Sequence, residues 1–248
     1  MKPATIFGRD MDLQQLHRLV HRRHSFLLHG PAGVGKTLLL KSLLSQFGGI
    51  LYCDESSSSQ IVFRRLAIEL LARKAHCVVQ VCGKAGAEAL KVKSAVAIRG
   101  IVAEALRAGS YWIVLDHLKA PSQSFATALK DVCKWSETPL IVAARSAHME
   151  DVGFLLPLFS QRSEKYELRN FDVETATSFA LATAEAMQLR PANLSDVVQK
   201  IVLYGKGNPG AICAMLKMAA SPRYVTEQHV KLSPLYIDFC LQWGISHA

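Results

Sequence analysis

Residues 30 to 37 read Gly30, Pro31, Ala32, Gly33, Val34, Gly35, Lys36 and Thr37, an unbroken G-x-x-x-x-G-K-[ST] string. Each residue type has a chemical reason to be there. Glycines let a loop turn back so that successive backbone N–H groups point at one oxyanion. A helix starting at the loop adds the positive end of its dipole. The Lys36 ammonium then reaches β- and γ-phosphates, and the Thr37 hydroxyl ligates Mg2+. An apolar run (25–29) precedes the loop and a leucine-rich run (38–44) follows it. A glycine turn before a helix would explain the glycines but not the Lys36–Thr37 pair. The pattern predicts a nucleotide-binding chain.

Some eighty residues further on, the apolar run Tyr111, Trp112, Ile113, Val114, Leu115 closes on Asp116. Parallel strands deliver their C-terminal ends to one sheet edge, so Asp116 is placed to hold the same Mg2+ through water. His117 follows, where many ATPases of this layout carry a glutamate that polarises the attacking water. A histidine is a weaker base without fixed negative charge near neutral pH. Either hydrolysis is slow and the chain holds nucleotide as a switch, or Asp54 or Glu55 after the second strand orients the water. Arg145 closes another apolar run, 139–144, and two readings stand. Its guanidinium forks onto the γ-phosphate, or it is a surface arginine just past a strand end.

The elements that must position these groups alternate. Strands are expected at 25–29, 49–54, 111–116, 139–145 and 164–168, with helices at about 13–20, 38–44, 60–74, 87–107 and 124–135. The segment 76–86 reads two ways: Cys77 to Cys82 has strand-like composition, while the lysine and glycine content after it suggests a mobile connection. The alternation argues for an α/β chain, a parallel sheet flanked by helices. Beyond Phe171 the pattern turns helical, at about 172–188, 193–204 and 208–219. The expected division is therefore an α/β core over 1–170 and a helical lid with a C-terminal tail over 171–248. The turn Gly205, Lys206, Gly207, Asn208, Pro209, Gly210 separates two lid helices, with Asn208 as cap and Pro209 at the first helical position. It either caps alone or also packs on a bound base. The apolar tail, 230–239, either folds back or docks a partner.

Composition narrows the classes. The chain has 248 residues, half of them apolar, and a net charge of +9. Charged residues or glycines interrupt every apolar stretch, so no membrane span is expected. Met1 to Thr5 lacks the apolar core of a secretory signal. The six cysteines are scattered without a C-x-x-C pair, as in a reduced, cytoplasmic protein. The basic residues are spread along the sequence, with one dense cluster, His21, Arg22, Arg23 and His24. They read either as solvated surface or as a contact with nucleic acid.

Four features then fall in a familiar order. Phe7, Gly8, Arg9 and Asp10 with Leu13 resemble the "GRxxEL" box before the P-loop of AAA+ and STAND ATPases. The P-loop is complete, Val114–Leu115–Asp116 resembles a Walker B strand, and Ala143–Ala144–Arg145 resembles a sensor strand. Gly207, Asn208 and Pro209 are similar to the G-x-P lid turn of STAND and Orc/Cdc6-like ATPases. The resemblance covers residues 5 to 219. It implies a P-loop sheet in the order 5-1-4-3-2 followed by a small helical lid, with ATP or ADP and Mg2+ as cofactors. It assigns catalysis to Lys36, Asp116 and Arg145, and the metal to Thr37 and Asp116. Gly8, Arg9, residues 30–37, Leu38 and Pro209 would contact the nucleotide. Nucleotide state would govern lid position, and hence assembly with a protein partner or with other copies.

The functional expectation is a weak, slowly hydrolysing ATPase acting as a nucleotide-dependent switch or assembly factor. The alternative is a DNA-associated helper ATPase of the transposition or replication-loader type, which the positive charge favours. A small-molecule kinase usually carries an arginine-rich lid; residues 146–170 hold only Arg162 and Arg169.

Overall fold

In this structure, a computed structural model, residues 6–56 and 58–243 are described. The reading of Met1 to Thr5 falls outside them. The chain groups into two compact units, the first made of Met11–Gly30 and Lys36–Leu168, the second of Ile6–Asp10, Pro31–Gly35 and the chain from Arg169 on.

The first unit carries α1 (Asp10–His21, from its second residue), β1 (Phe26–His29), α2 (Lys36–Leu44) and β2 (Ile50–Cys53). There follow α3 (Ser59–Ala72), α4 (His76–Cys82), α5 (Glu88–Lys91) and α6 (Ala95–Ala108). Next come β3 (Trp112–Leu115), α7 (Gln123–Ser136), β4 (Leu140–Ala144), α8 (Met149–Val152) and β5 (Lys165–Glu167). The strands pair in the order β2-β3-β4-β1-β5, all parallel, which is the expected order. Strands buried on both faces need continuous apolar runs, and β1, β3 and β4 supply them. Period-two alternation sends Leu27, Leu51, Ile113, Leu115 and Val142 into one core with Leu66, Leu70, Val102, Phe125 and Leu129 from α3, α6 and α7.

One ambiguity is resolved and one local expectation is corrected. Cys77–Cys82, strand-like in composition, lies in the helix α4. Val78 and Cys82 are buried while Val79, Gln80 and Val81 are all exposed; a pleat would turn Gln80 to the same side as Val78 and Cys82, whereas an i, i+4 pair on a helix face leaves it outside. The single helix expected over 87–107 is broken into α5 and α6. Ser94 leaves the helix with ψ 155° and its hydroxyl accepts from the Ala97 amide, so a serine caps a new helix within the apolar pattern.

The second unit holds α9 (Val173–Ala186), α10 (Leu194–Tyr204) and α11 (Pro209–Ala219), close to the three expected helical segments. A two-residue hairpin, β6 (Val225–Thr226) with β7 (His229–Val230), and α12 (Leu232–Trp243) complete it. The apolar tail folds back: Leu235, Phe239 and Cys240 of α12 join Ala180, Ile201, Ile212 and Met215 in one core. Its far side leaves Ile237 and Leu241 exposed.

Candidate phosphate-binding site

The C-terminal ends of β1, β2, β3 and β4 carry the first unit's polar groups. Asp116 follows β3 and is only 1% exposed. Its Oδ2 accepts from Thr37 Oγ1 at 2.6 Å and from Tyr52 OH at 2.6 Å, and its Oδ1 accepts from the His117 amide at 2.8 Å. The Ser56 hydroxyl donates to the Asp116 carbonyl at 3.0 Å. A carboxylate so far from water is tolerated only where donors converge on it. Burial, and then the bond to Asp116, push the Tyr52 phenol well above its ordinary pKa, so it remains a donor.

Lys36 opens α2 and donates from Nζ to the Gly30 carbonyl at 2.6 Å. Burial lowers its pKa, the Asp116 charge opposes that shift, and the Arg145 charge adds to it. Arg145, just past β4, is itself exposed. Its field nevertheless reaches Lys36, and two cations beside one another favour a polyanionic ligand. Lys36, Asp116 and Arg145 all belong to the first unit, and the charges of the other two both act on Lys36. Leu38, by contrast, is an exposed apolar residue on α2.

His117 takes the left-handed conformation (φ 53°), which turns its amide onto Asp116. Its ring leans the same way, with Nε2 at 3.7 Å from Asp116 Oδ2, and is 65% exposed.

The loop Pro31–Gly35 groups with the second unit. Two of its glycines hold positive φ, Gly33 at 78° and Gly35 at 103°, and a β-carbon on Gly33 would lie 2.7 Å from Asn208 Oδ1. The carbonyls of the loop are taken one after another. Pro31 accepts from the Val34 amide at 3.4 Å, Ala32 from Asn208 Nδ2 at 2.9 Å, and Gly33 from the Gly210 amide at 2.9 Å. Val34 accepts from Arg9 Nη2 at 3.0 Å. Arg9 is 6% exposed, donates also to the Arg169 carbonyl at 2.9 Å, and lies 4.3 Å over the Phe171 ring. Gly8 (φ 64°) packs against Thr175 and Phe171. Pro209 is the first residue of α11, whose cap is Asn208 with Oδ1 accepting from Ala211 N at 3.1 Å. The expected cap is there, and the same side chain also reaches Asn170 Oδ1 at 3.1 Å.

The donor set fits Mg2+ rather than a softer ion. Thr37 and Asp116 offer hard oxygens, and among the described residues no group of three or more His, Cys, Asp or Glu could hold a metal alone. Such a site needs ligand oxygens from elsewhere, as Mg2+ takes them from phosphates.

Sequence reasoning missed Tyr52, Ser56 and the amide of Asn208. Tyr52 was legible in principle, since the order 5-1-4-3-2 puts the second strand beside the Asp116 strand, and in the register Tyr52 stands opposite Val114. The Asn208 bond to Ala32 spans 176 residues and no local pattern announces it.

A family model described as "AAA ATPase domain" matches residues 5–149. Among solved structures, a Walker-type ATPase of Pyrococcus abyssi is 15% identical, with a TM-score of 0.62 over 96% of this chain and 74% of that one. Cdc6p of Pyrobaculum aerophilum is 14% identical, with a TM-score of 0.66 over 93% of this chain and 66% of its own. Orc1 of Aeropyrum pernix, solved in complex with DNA, is 13% identical, with a TM-score of 0.64 over 97% of this chain and 66% of its own. The chain thus spans about two thirds of the latter two, and at these identities the likeness is one of fold. No curated protein matches the chain.

His29, the last residue of β1, carries a pH dependence. Burial lowers its pKa below 6.5; Glu167 opposes this, while Lys165, His148 and Lys36 reinforce it. The unfolded chain therefore takes up the proton first. The stability tied to neutral His29 is full above pH 6.5 and is lost as pH falls through the folded-state value. Replacing His29 by Gln is expected to flatten the fall in Tm as pH drops below 6.5 in a calorimetric series. An unchanged slope would place that acid sensitivity on another group.

Proposed function

Because the chain belongs to the AAA ATPase domain family, we propose that it binds ATP and ADP with Mg2+ at residues 30–38 and works as a slowly hydrolysing, nucleotide-dependent switch or assembly ATPase. The observation that carries the switch is the pair of bonds from Asn208 Nδ2 and the Gly210 amide to the carbonyls of Ala32 and Gly33, each 2.9 Å. A phosphate is held by the amide side of those peptides. A peptide is planar, so a peptide that turns its N–H toward an oxyanion turns its carbonyl as well. The start of α11 holds those carbonyls and so registers the loop's state. Lid position follows nucleotide, and assembly with a protein partner or with other copies follows lid position.

In the first unit, Lys36 gives up the Gly30 carbonyl for β- and γ-phosphate oxygens, and Arg145 adds its charge toward the γ-phosphate. Thr37 and, through water, Asp116 hold Mg2+, which when bound supplies the positive charge that offsets the phosphates. Arg9 acts as a positioning residue, its guanidinium holding the Val34 carbonyl from behind the loop. Hydrolysis is slow because the place beside Asp116 carries an exposed imidazole that leans onto that carboxylate, with no fixed anion to polarise water.

A second reading, contact with DNA, is favoured by the net charge of +9. The densest basic cluster is partly engaged in the fold, since Arg23 donates to Ser110 Oγ at 2.6 Å and sits 5.7 Å from the Trp112 ring centroid. Arg22 of the same cluster is exposed.

Three outcomes test these readings. Calorimetry of the wild type is expected to show Mg2+-dependent ATP binding. Asn208→Asp, which keeps a cap acceptor but sets a carboxylate against the Ala32 carbonyl, should weaken it about tenfold. Equal affinity in the two proteins would remove the switch. In single-turnover assays His117→Glu is expected to hydrolyse ATP faster than wild type by about tenfold or more; no acceleration would mean that water is positioned by another group. DNA affinity, if real, must fall steeply between 50 and about 200 mM salt, and a salt-independent or absent signal would eliminate the second reading.

A further inference from the structure

The Asp116 carboxylate is shared by three donors, and one of them has no role in the phosphate site as described so far. Thr37 can keep its proton on Asp116 while its oxygen lone pairs face a cation, so its two tasks are compatible. The His117 donor is a backbone amide, fixed by the left-handed turn. Tyr52 differs. Its hydroxyl only donates, at 2.6 Å, to the Oδ2 that already accepts from Thr37 at 2.6 Å. A carboxylate oxygen has two lone pairs, so Oδ2 is full. The Tyr52 ring is held independently of its hydroxyl, with Lys41 Nζ 5.8 Å from the centroid. Lys41 lies one turn beyond Thr37 on α2, on the same helix face. Tyr52 can thus release Asp116 without leaving its place.

We propose that the Tyr52 hydroxyl competes with hydrated Mg2+ for the Asp116 carboxylate and thereby sets how much Mg2+ the nucleotide site requires. The inference rests on the nucleotide-binding reading above. Each donor on Asp116 takes a lone pair and draws off negative charge, and a cation that reaches the carboxylate through water needs both. Tyr52 is then a positioning residue that favours the metal-free state. Nucleotide would bind in two grades, loosely without Mg2+ and tightly once Mg2+ displaces the phenol.

The test is a Mg2+ titration of a fluorescent ADP analogue on wild type and on Tyr52→Phe, which keeps the ring and its Lys41 contact. Half-saturating Mg2+ is expected to fall about tenfold in the variant, while affinity without Mg2+ changes less than about twofold. A Mg2+ demand that is unchanged or raised overturns the proposal, as does an equal change with and without Mg2+, the mark of a merely structural role. A second measurement needs no variant. In wild type labelled with carbon-13 at the tyrosine ζ position, adding Mg2+ to the ADP complex should shift one tyrosine resonance, and unshifted tyrosine resonances overturn the proposal. Wild type that binds no nucleotide with Mg2+ would instead sink the site reading itself.

Discussion

A carboxylate with 1% of its surface exposed would be intolerable in isolation, and the first unit is built so that Asp116 is not isolated. Desolvating an unpaired carboxylate costs several kcal/mol, enough to protonate the group or to unfold a marginal domain. The remedy draws on three different pieces of chain. Thr37 comes from the first turn of α2, Tyr52 from β2, and the amide of His117 from the turn after β3. The His117 amide is local, but Thr37 and Tyr52 arrive only if the sheet has its order and register. β2 must lie beside β3 with Tyr52 opposite Val114, and the chain after β1 must turn back at once to begin α2. Satisfying one anion therefore ties together elements far apart in sequence.

The same economy of donors governs the second unit. The loop 31–35, with positive φ at Gly33 and Gly35, offers its carbonyls to donors of the second unit. Those carbonyls find Arg9, Asn208 and the Gly210 amide. Asn208 serves three partners with one side chain: its oxygen caps α11, and its nitrogen reaches Ala32 and Asn170. Glycine at position 33 is what lets Asn208 come this near, since a β-carbon there would stand 2.7 Å from its Oδ1. The aromatic residues around Arg9 are part of this arrangement. Phe171 faces the guanidinium at 4.3 Å, and Phe179 packs on both Phe7 and Phe171 at 5.5 Å between centroids. A buried guanidinium is tolerable there because carbonyls and a ring face replace its water.

Cations and anions are balanced differently at the strand ends. Lys36 feels Asp116 as an attraction and Arg145 as a repulsion, with burial the largest influence. His29, one residue before the loop, is likewise discouraged from charging by its surroundings. In both cases burial is the first cause and neighbouring cations add to it.

The resemblance to AAA+ and STAND ATPases supplied the five-strand order; the residues alone determined the glycine-rich loop closed by Lys36 and Thr37, the acid at the end of the third strand and the helical character of the chain after Phe171. These are properties of spacing, of apolar runs ended by polar groups, and of residues with one conformational use, all of which are local. Where a choice depended on which neighbour arrives, sequence was silent or wrong. Cys77–Cys82 is β-branched and apolar enough for a strand, and becomes a helix because Val78 and Cys82 find a core one turn apart. Tyr52 looks like any strand aromatic until β3 brings a carboxylate to its hydroxyl, and Asn208 looks like a simple cap until Ala32 comes within 2.9 Å. The tail's fate was decided by the apolar surface that α9, α10 and α11 leave for Leu235 and Phe239. Tertiary structure settles such cases because a hydrogen bond or a buried ring is a property of two segments, and only folding makes them neighbours.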